Sequence, residues 1–237
     1  MAAGGINAVA GGGTLVSFPA LIWAGLNHRQ ANVTSTVALL PGSLGGAVGF
    51  LPELKASHRW LRLLALPSLA GGLLGGWLLL RTPPTFFKSL VPFLILGATL
   101  LMAVQDPLRA RLEARRINSV PGVIFFQFLV GVYGGYFGAA QGIILMGILG
   151  SLSSEPIQRL NGYKNVLATI VNGVAALVFI IVAHDQIDWL VVLLIAIGAT
   201  IGGVIGSTVG RRLPPPVLRA VIVVIGVVAI VKLVRYP

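Results

Sequence analysis

Read for apolar runs, the chain divides into eight segments: 4–26, 31–51, 60–80, 85–105, 121–152, 161–183, 188–210 and 216–234. A helix needs roughly 20 apolar residues to cross a hydrocarbon core, and most of these runs supply them. The gaps carry turn and charge signals: Asn27-His28-Arg29, Pro52-Glu53-Leu54-Lys55, Arg81-Thr82-Pro83-Pro84 and Arg211-Arg212-Leu213-Pro214-Pro215-Pro216. The pattern predicts an all-α polytopic membrane protein. The longest polar stretch, Gln105 to Asn118, falls near the middle of the chain. It divides a first transmembrane unit, 1–105, from a second, 121–237, with 106–120 as a basic connecting loop.

The two units read as repeats of four segments each. Asn32 falls opposite Asn161 and Trp60 opposite Trp189, both at an offset of 129 residues. The run Gly71-Gly72-Leu73-Leu74-Gly75-Gly76, followed by Arg81-Thr82-Pro83-Pro84, recurs as Gly202-Gly203-Val204-Ile205-Gly206-Ser207, followed by Arg212-Leu213-Pro214-Pro215. Thirteen residues, Pro121 to Tyr133, precede Gly134, whereas only Met1 to Gly4 precede Gly5, so either Met1 is not the natural start or the first half-helix is short.

Composition fits this picture. Of 237 residues, 56% are hydrophobic and 10% charged, with a mean hydropathy of +0.94. A soluble domain carries about 25% charged residues, and a disordered chain is poor in apolar ones. The net charge of +11 comes from 17 Lys and Arg against 6 Asp and Glu. The basic residues sit in short gaps and form no face or tail, so they read as loop anchors in the bilayer and not as a nucleic-acid surface. There is no Cys, which excludes disulfides and thiol chemistry. His28, His58 and His184 all fall in gaps, and neither a metal nor another cofactor is expected.

Charge also bears on topology. If all eight segments span, the 17 Lys and Arg divide almost evenly, 9 on one side and 8 on the other. If the first segment of each repeat is re-entrant, Arg29, Arg81, Lys88, Lys232 and Arg235 face one side. Lys55, Arg59, Arg62, Arg109, Arg111, Arg115, Arg116, Arg159, Lys164, Arg211, Arg212 and Arg219 then face the other. The positive-inside bias favours this second arrangement, in which the repeats are inverted.

The candidate chemistry follows the breaks. Three consecutive glycines interrupt Ile6-Asn7-Ala8-Val9-Ala10-Gly11-Gly12-Gly13-Thr14, and Phe137-Gly138-Ala139-Ala140-Gln141-Gly142 interrupts the fifth segment. Irregular backbone at membrane depth is tolerated only where protein or a wet cavity surrounds it. A helix that restarts there offers free N–H groups and a positive dipole end to an anion. Scattered pairs such as Gly45-Gly46, Gly71-Gly72 and Gly202-Gly203 read instead as close helix packing.

Polar residues inside segments two and six face the same question: Asn32, Thr34, Ser35 and Thr36, then Asn161, Tyr163, Lys164, Asn165 and Asn172. Counted from a helix start at Pro156, Lys164 lies about 12 Å along its helix, and Thr36 lies about 13 Å from Asn27. Glu53, Asp106, Glu113, Glu155, Asp185 and Asp188 all fall in gaps or at segment ends. One interior lysine with amides, hydroxyls and helix N-termini, but no interior acid, suits a small anion and not a cation. Hydrolysis would need a nucleophile with its base, or a metal with ligands; a Ser35–Lys164 pair is conceivable, but nothing in the sequence supports it. The expectation is a transporter and not an enzyme. A passive anion or small-solute channel is the alternative, because broken helices with polar tips also build pores.

The run Ile6 to Thr14, continued by Phe18-Pro19-Ala20-Leu21 and Ala31-Asn32-Val33-Thr34-Ser35-Thr36-Val37-Ala38, resembles the first repeat of the sulfite exporter TauE/SafE family. Arg159-Leu160-Asn161-Gly162-Tyr163-Lys164-Asn165 resembles that family's second-repeat signature. The resemblance implies a bacterial inner-membrane secondary transporter for sulfite, organosulfonates or related small sulfur or carboxylate anions. Carried over by position, its substrate-binding residues are Asn7, Gly11, Gly12, Gly13, Thr14, Asn32, Thr34, Ser35, Thr36, Gln141, Gly142, Asn161, Lys164 and Asn165. Many members have a glycine run where this chain has Ala139-Ala140-Gln141-Gly142, so Gln141 is expected to alter specificity. The expected partners are a small anionic substrate, the lipid bilayer and, by analogy with symmetric oligomers, a second copy in a homodimer.

Overall fold

The computed structural model describes all residues except 55–58, 115–118, 153–154, 209–214 and 236–237. Lys55, His58, Arg115, Arg116, Asn118, Ser154, the 210 end of the seventh segment and the Arg211 to Pro214 turn signal therefore lie outside the described residues. Among those described, the structure is helical with no strands.

Helices α1 (Ala2–Ala10) and α2 (Thr14–Trp23) make up the first apolar segment, α3 (His28–Gly49) the second. A short α4 (Leu51–Leu54) leads to α5 (Arg59–Arg81) and α6 (Pro84–Ala103). After α7 (Gln105–Ala114) come α8 (Val120–Tyr136), α9 (Gln141–Leu152) and α10 (Ile157–Val182). A 3-10 turn, His184–Gln186, precedes α11 (Trp189–Thr208) and α12 (Pro215–Arg235). Among the described residues, α5, α6, α10 and α11 have the length and apolar character to cross a membrane. The 22-residue α3 is long enough but carries Asn32, Thr34, Ser35 and Thr36 in its interior.

Local chemistry sets the helix starts. The Asn27 side chain accepts from Gln30 N–H at 3.0 Å at the head of α3, and Asp188 caps α11 through Val191 N–H at 3.0 Å. Pro84 opens α6 where a missing N–H costs nothing. The stretch expected to be a loop after Gln105 is helical over Gln105–Ala114. The reason is composition: Asp106-Pro107 forms a favourable first turn, and Leu, Ala, Arg and Glu are strong helix formers. Pro156 is the N-cap of α10, so the helix starts at Ile157, one residue later than expected.

Glycine contacts fix the helix directions. Gly42 packs on Ala199 and Gly49 on Ser207, so α3 and α11 run the same way. Gly4 meets Ala199 and Gly5 meets Gly202, which aligns α1 with them. In the same manner Gly71 on Gly131, Gly72 on Val171 and Gly76 on Ala175 align α5, α8 and α10. Between the two sets, Leu40 faces Gly173 while Phe50 and Leu54 face Gly162, so α3 and α10 are antiparallel. Since α1 and α3 run the same way, α2 must return between them, and α9 returns in the same sense between α8 and α10. Each broken segment is therefore a helical hairpin, and the two hairpins enter from opposite ends.

The paired glycines are what let these helices approach. A Cβ on Gly75 would land on the carbonyl oxygen of Val132, and one on Gly72 would lie 2.8 Å from that of Val171. Gly75→Ala should lower stability by about 1–3 kcal/mol. Gly97→Ala, on α6 with nothing within 4 Å, should stay within about 1 kcal/mol of wild type. Thermal unfolding of both variants in detergent reads the difference.

Candidate functional site

The first break begins where α1 ends. Gly11 takes the left-handed conformation at φ 69° and returns its N–H to Asn7, a common way to stop a helix. The second break holds Gly138 at φ 74° and Ala140 at φ 60°. Alanine pays about 1–2 kcal/mol in that region, so the surroundings must enforce it. Tyr133 Oη donates to the Ala139 carbonyl at 2.6 Å, and Phe137 packs edge-on against Phe18, ring centroids 5.3 Å apart.

The two tips touch. A Cβ on Gly11 would lie 2.5 Å from the Gly142 Cα, and one on Gly142 would lie 2.6 Å from the Gly11 Cα and 3.2 Å from Lys164 Cδ. Only glycine at both positions permits this approach. Beside the contact is a small cavity lined by Asn7, Gly11, Ser43, Gly138, Gln141, Gly142, Lys164, Asn165, Ala168 and Asn172. Its volume is about 10 Å³, roughly the room for one water.

Lys164 is buried, 1% exposed. Its Nζ donates to the carbonyls of Ala8 and Val9, each at 3.1 Å, and Asn165 Nδ2 donates to the Ala8 oxygen at 3.1 Å. These carbonyls belong to the last turn of α1, whose peptide acceptors have no partner within the helix and which carries the negative dipole end. An ammonium has three donors, and two are used here. Across the cavity α9 begins, with Gln141 buried and its Nε2 unpartnered. Asn7 spans the first hairpin, donating to Ser43 Oγ at 2.9 Å and accepting from Gly13 N–H at 3.4 Å.

Of the residues expected to bind substrate, Asn7, Gly11, Gln141, Gly142, Lys164 and Asn165 line this cavity. The others are placed elsewhere. Gly12 faces Met102, Ile6 and Ile222, and Gly13 packs on Asn7 and Ala3, so the start of α2 at Thr14 does not open on the cavity. Ser35 Oγ lies 2.6 Å from Ser17 Oγ, Thr34 Oγ1 accepts from Asp188 N–H at 3.2 Å, and Thr36 Oγ1 donates to Asn32 O within its own helix at 2.9 Å. Asn161, half-buried near the start of α10, is not in the lining. Asn32 instead donates to the carbonyl of Tyr136, at the end of α8, at 2.9 Å. Ser43 and Ala168 were not expected, while Gly138 and Asn172 were noted as part of the second break and as an interior amide but not assigned to the substrate. Ser43 and Asn172 stand 129 residues apart, the offset that relates Asn32 to Asn161, and that signal could have found them.

Comparison with known proteins then decides the family. The model of the sulfite exporter TauE/SafE family matches residues 1–233. The chain belongs to the sulfite exporter TauE/SafE family. It is similar to the "Probable membrane transporter protein YfcA" of Escherichia coli K12, 24% identical over 233 residues, covering 98% of this chain and 86% of that protein. It is also similar to the "Probable membrane transporter protein ORF9" of a Sinorhizobium species, 24% identical over 235 residues, covering 99% and 89%. A "Probable membrane transporter protein" of Haemophilus influenzae is 24% identical over 229 residues, covering 97% and 89%. No solved structure matches the chain. As a TauE/SafE protein with long apolar helices, it is a multi-pass membrane transporter.

Asn32 holds an acceptor that has lost its helical partner, so Asn32→Ala should destabilise by about 1–3 kcal/mol. Thr36→Val removes a hydroxyl bonded only within α3 and should cost less. Unfolding midpoints of the two purified variants test the ranking.

Proposed function

We propose that this TauE/SafE protein is a secondary transporter of the bacterial inner membrane that moves a small anion by alternating access. Sulfite, organosulfonates and related sulfur or carboxylate anions are the substrate class. One observation carries the reading: two broken helices entering from opposite ends touch at Gly11 and Gly142, beside a buried lysine. Discontinuous helices meeting at a central site are the usual substrate seat of inverted-repeat transporters.

The four-segment repeats, 1–105 and 121–237 joined through 106–120, are read as inverted. The opposite directions of α3 and α10 support this, as does the exchange of packing partners, α1 on α11 matched by α8 on α5. The third N–H of Lys164, the start of α9 and Gln141 Nε2 would face the anion, with Asn7, Ser43 and Asn172 completing the lining. The cavity, about 10 Å³, is too narrow to pass an anion, which supports a gated carrier over a passive channel, because a channel calls for a continuous path. To admit even sulfite, the hairpins must separate from one side at a time. Two copies would form a homodimer, each with its own site.

Thermal unfolding of purified protein with sulfite, sulfate, thiosulfate, sulfoacetate, taurine and simple carboxylates tests the site. An anion at 100 times its Kd should stabilise by about 2.7 kcal/mol. The shift should appear for one chemical class and vanish in Lys164→Ala. An equal shift in Lys164→Ala would remove the lysine from the site, and no shift with any anion would favour the channel.

A further inference from the structure

The hydrogen bonds of Lys164 say more than that a positive charge is present. Its ammonium is seated on two backbone carbonyls, Ala8 and Val9, at 3.1 Å each, in the last turn of a helix that stops inside the protein. In transporters built from broken helices, such C-terminal carbonyls are where a coupling cation is held. Hard cations take oxygen ligands, and these two oxygens converge on one point. Here that point is taken by a side chain of the protein itself. Asn165, bonded to the same Ala8 oxygen, offers a further oxygen if its amide turns. A second cation would find little elsewhere. All 6 carboxylates lie in α4, α7 or the short connections before α10 and α11, and none lies inside a long helix.

We infer that Lys164 is a tethered substitute for a coupling cation: the wild-type protein takes no alkali cation at the end of α1, and removing the ammonium opens a sodium site there. This rests on the transporter reading, which makes the hairpin tips the seat of transport. A purely structural helix cap makes a different forecast. It needs a donor but no charge, so a neutral donor would replace Lys164 and sodium would be irrelevant to every variant.

The test is thermal unfolding of purified wild type, Lys164→Ala and Lys164→Gln in detergent without added substrate. Sodium, lithium and potassium chloride are each compared with choline chloride at constant ionic strength. The wild-type midpoint should be the same in all four salts. Lys164→Ala should unfold at lower temperature in choline and recover on the order of 5 °C in sodium, as filling a site in a chain of this size would give. Lys164→Gln, which keeps a donor but not the charge, should also respond to sodium. A specific sodium response in wild type overturns the inference. So does a Lys164→Ala that responds no more to sodium than to choline. If Lys164→Ala does not survive purification, the same comparison on Lys164→Gln decides. A sodium pattern as forecast, in a wild type that responds to no anion, would defeat the anion reading and leave the lysine assignment standing. An anion response without the sodium pattern would do the reverse.

Discussion

A helix that ends inside a membrane protein leaves its last carbonyls without partners, and each acceptor stranded away from water costs about 1–3 kcal/mol. The structure depends on how that constraint is met. Lys164 and Asn165 on α10 satisfy the end of α1, and Asn32 on α3 satisfies the end of α8. In both cases the donor comes from the other half of the chain. The breaks are therefore stable only while the halves are docked against each other, and glycine contacts between α1 and α11 and between α5 and α8 hold them at the necessary distance.

This crosswise capping makes the centre asymmetric. The second half supplies the ammonium, the buried amide of Gln141 and the start of α9. The first half supplies carbonyls, Asn7 and Ser43, and it turns Gly12 toward Met102 and Ile222. A charge placed on carbonyls at one side of a cavity and facing a helix N-terminus at the other leaves the space between them electropositive. Any opening that admits an anion must break the Gly11–Gly142 contact while the caps keep the helix ends satisfied.

Much of this was legible in the sequence. The glycine run at Gly11 to Gly13 and the Gly138 to Gly142 stretch mark the breaks, because few residues tolerate those backbones. Lys164 was legible by depth, as a lysine too far along its helix to belong to an interface. The polar run Asn32 to Thr36 could not be resolved from the sequence, because composition cannot say which neighbour a hydroxyl meets. Ser35 and Thr34 are spent on Ser17 and on the backbone of Asp188, and Thr36 on its own helix. Likewise nothing local to Asn32 or Asn165 reveals that its partner lies in the other half, since each pairing exists only once the halves dock, α3 on the end of α8 and α10 on the end of α1. Ser43 sits at a position where a small polar residue normally reads as helix packing, and only its spacing from Asn172 could have singled it out.

The central claim is that the cavity between the tips holds the anion and opens to water. The chain has no cysteine, so Ala168→Cys places a unique thiol in the cavity lining. Its modification rate by a small, charged, membrane-impermeant thiol reagent, with the protein in sealed vesicles, is the direct measurement. The account predicts labelling that is slowed by the transported anion and unaffected by anions that do not bind. A thiol that is never labelled from either side, or one labelled at the same rate whatever anion is present, would contradict it.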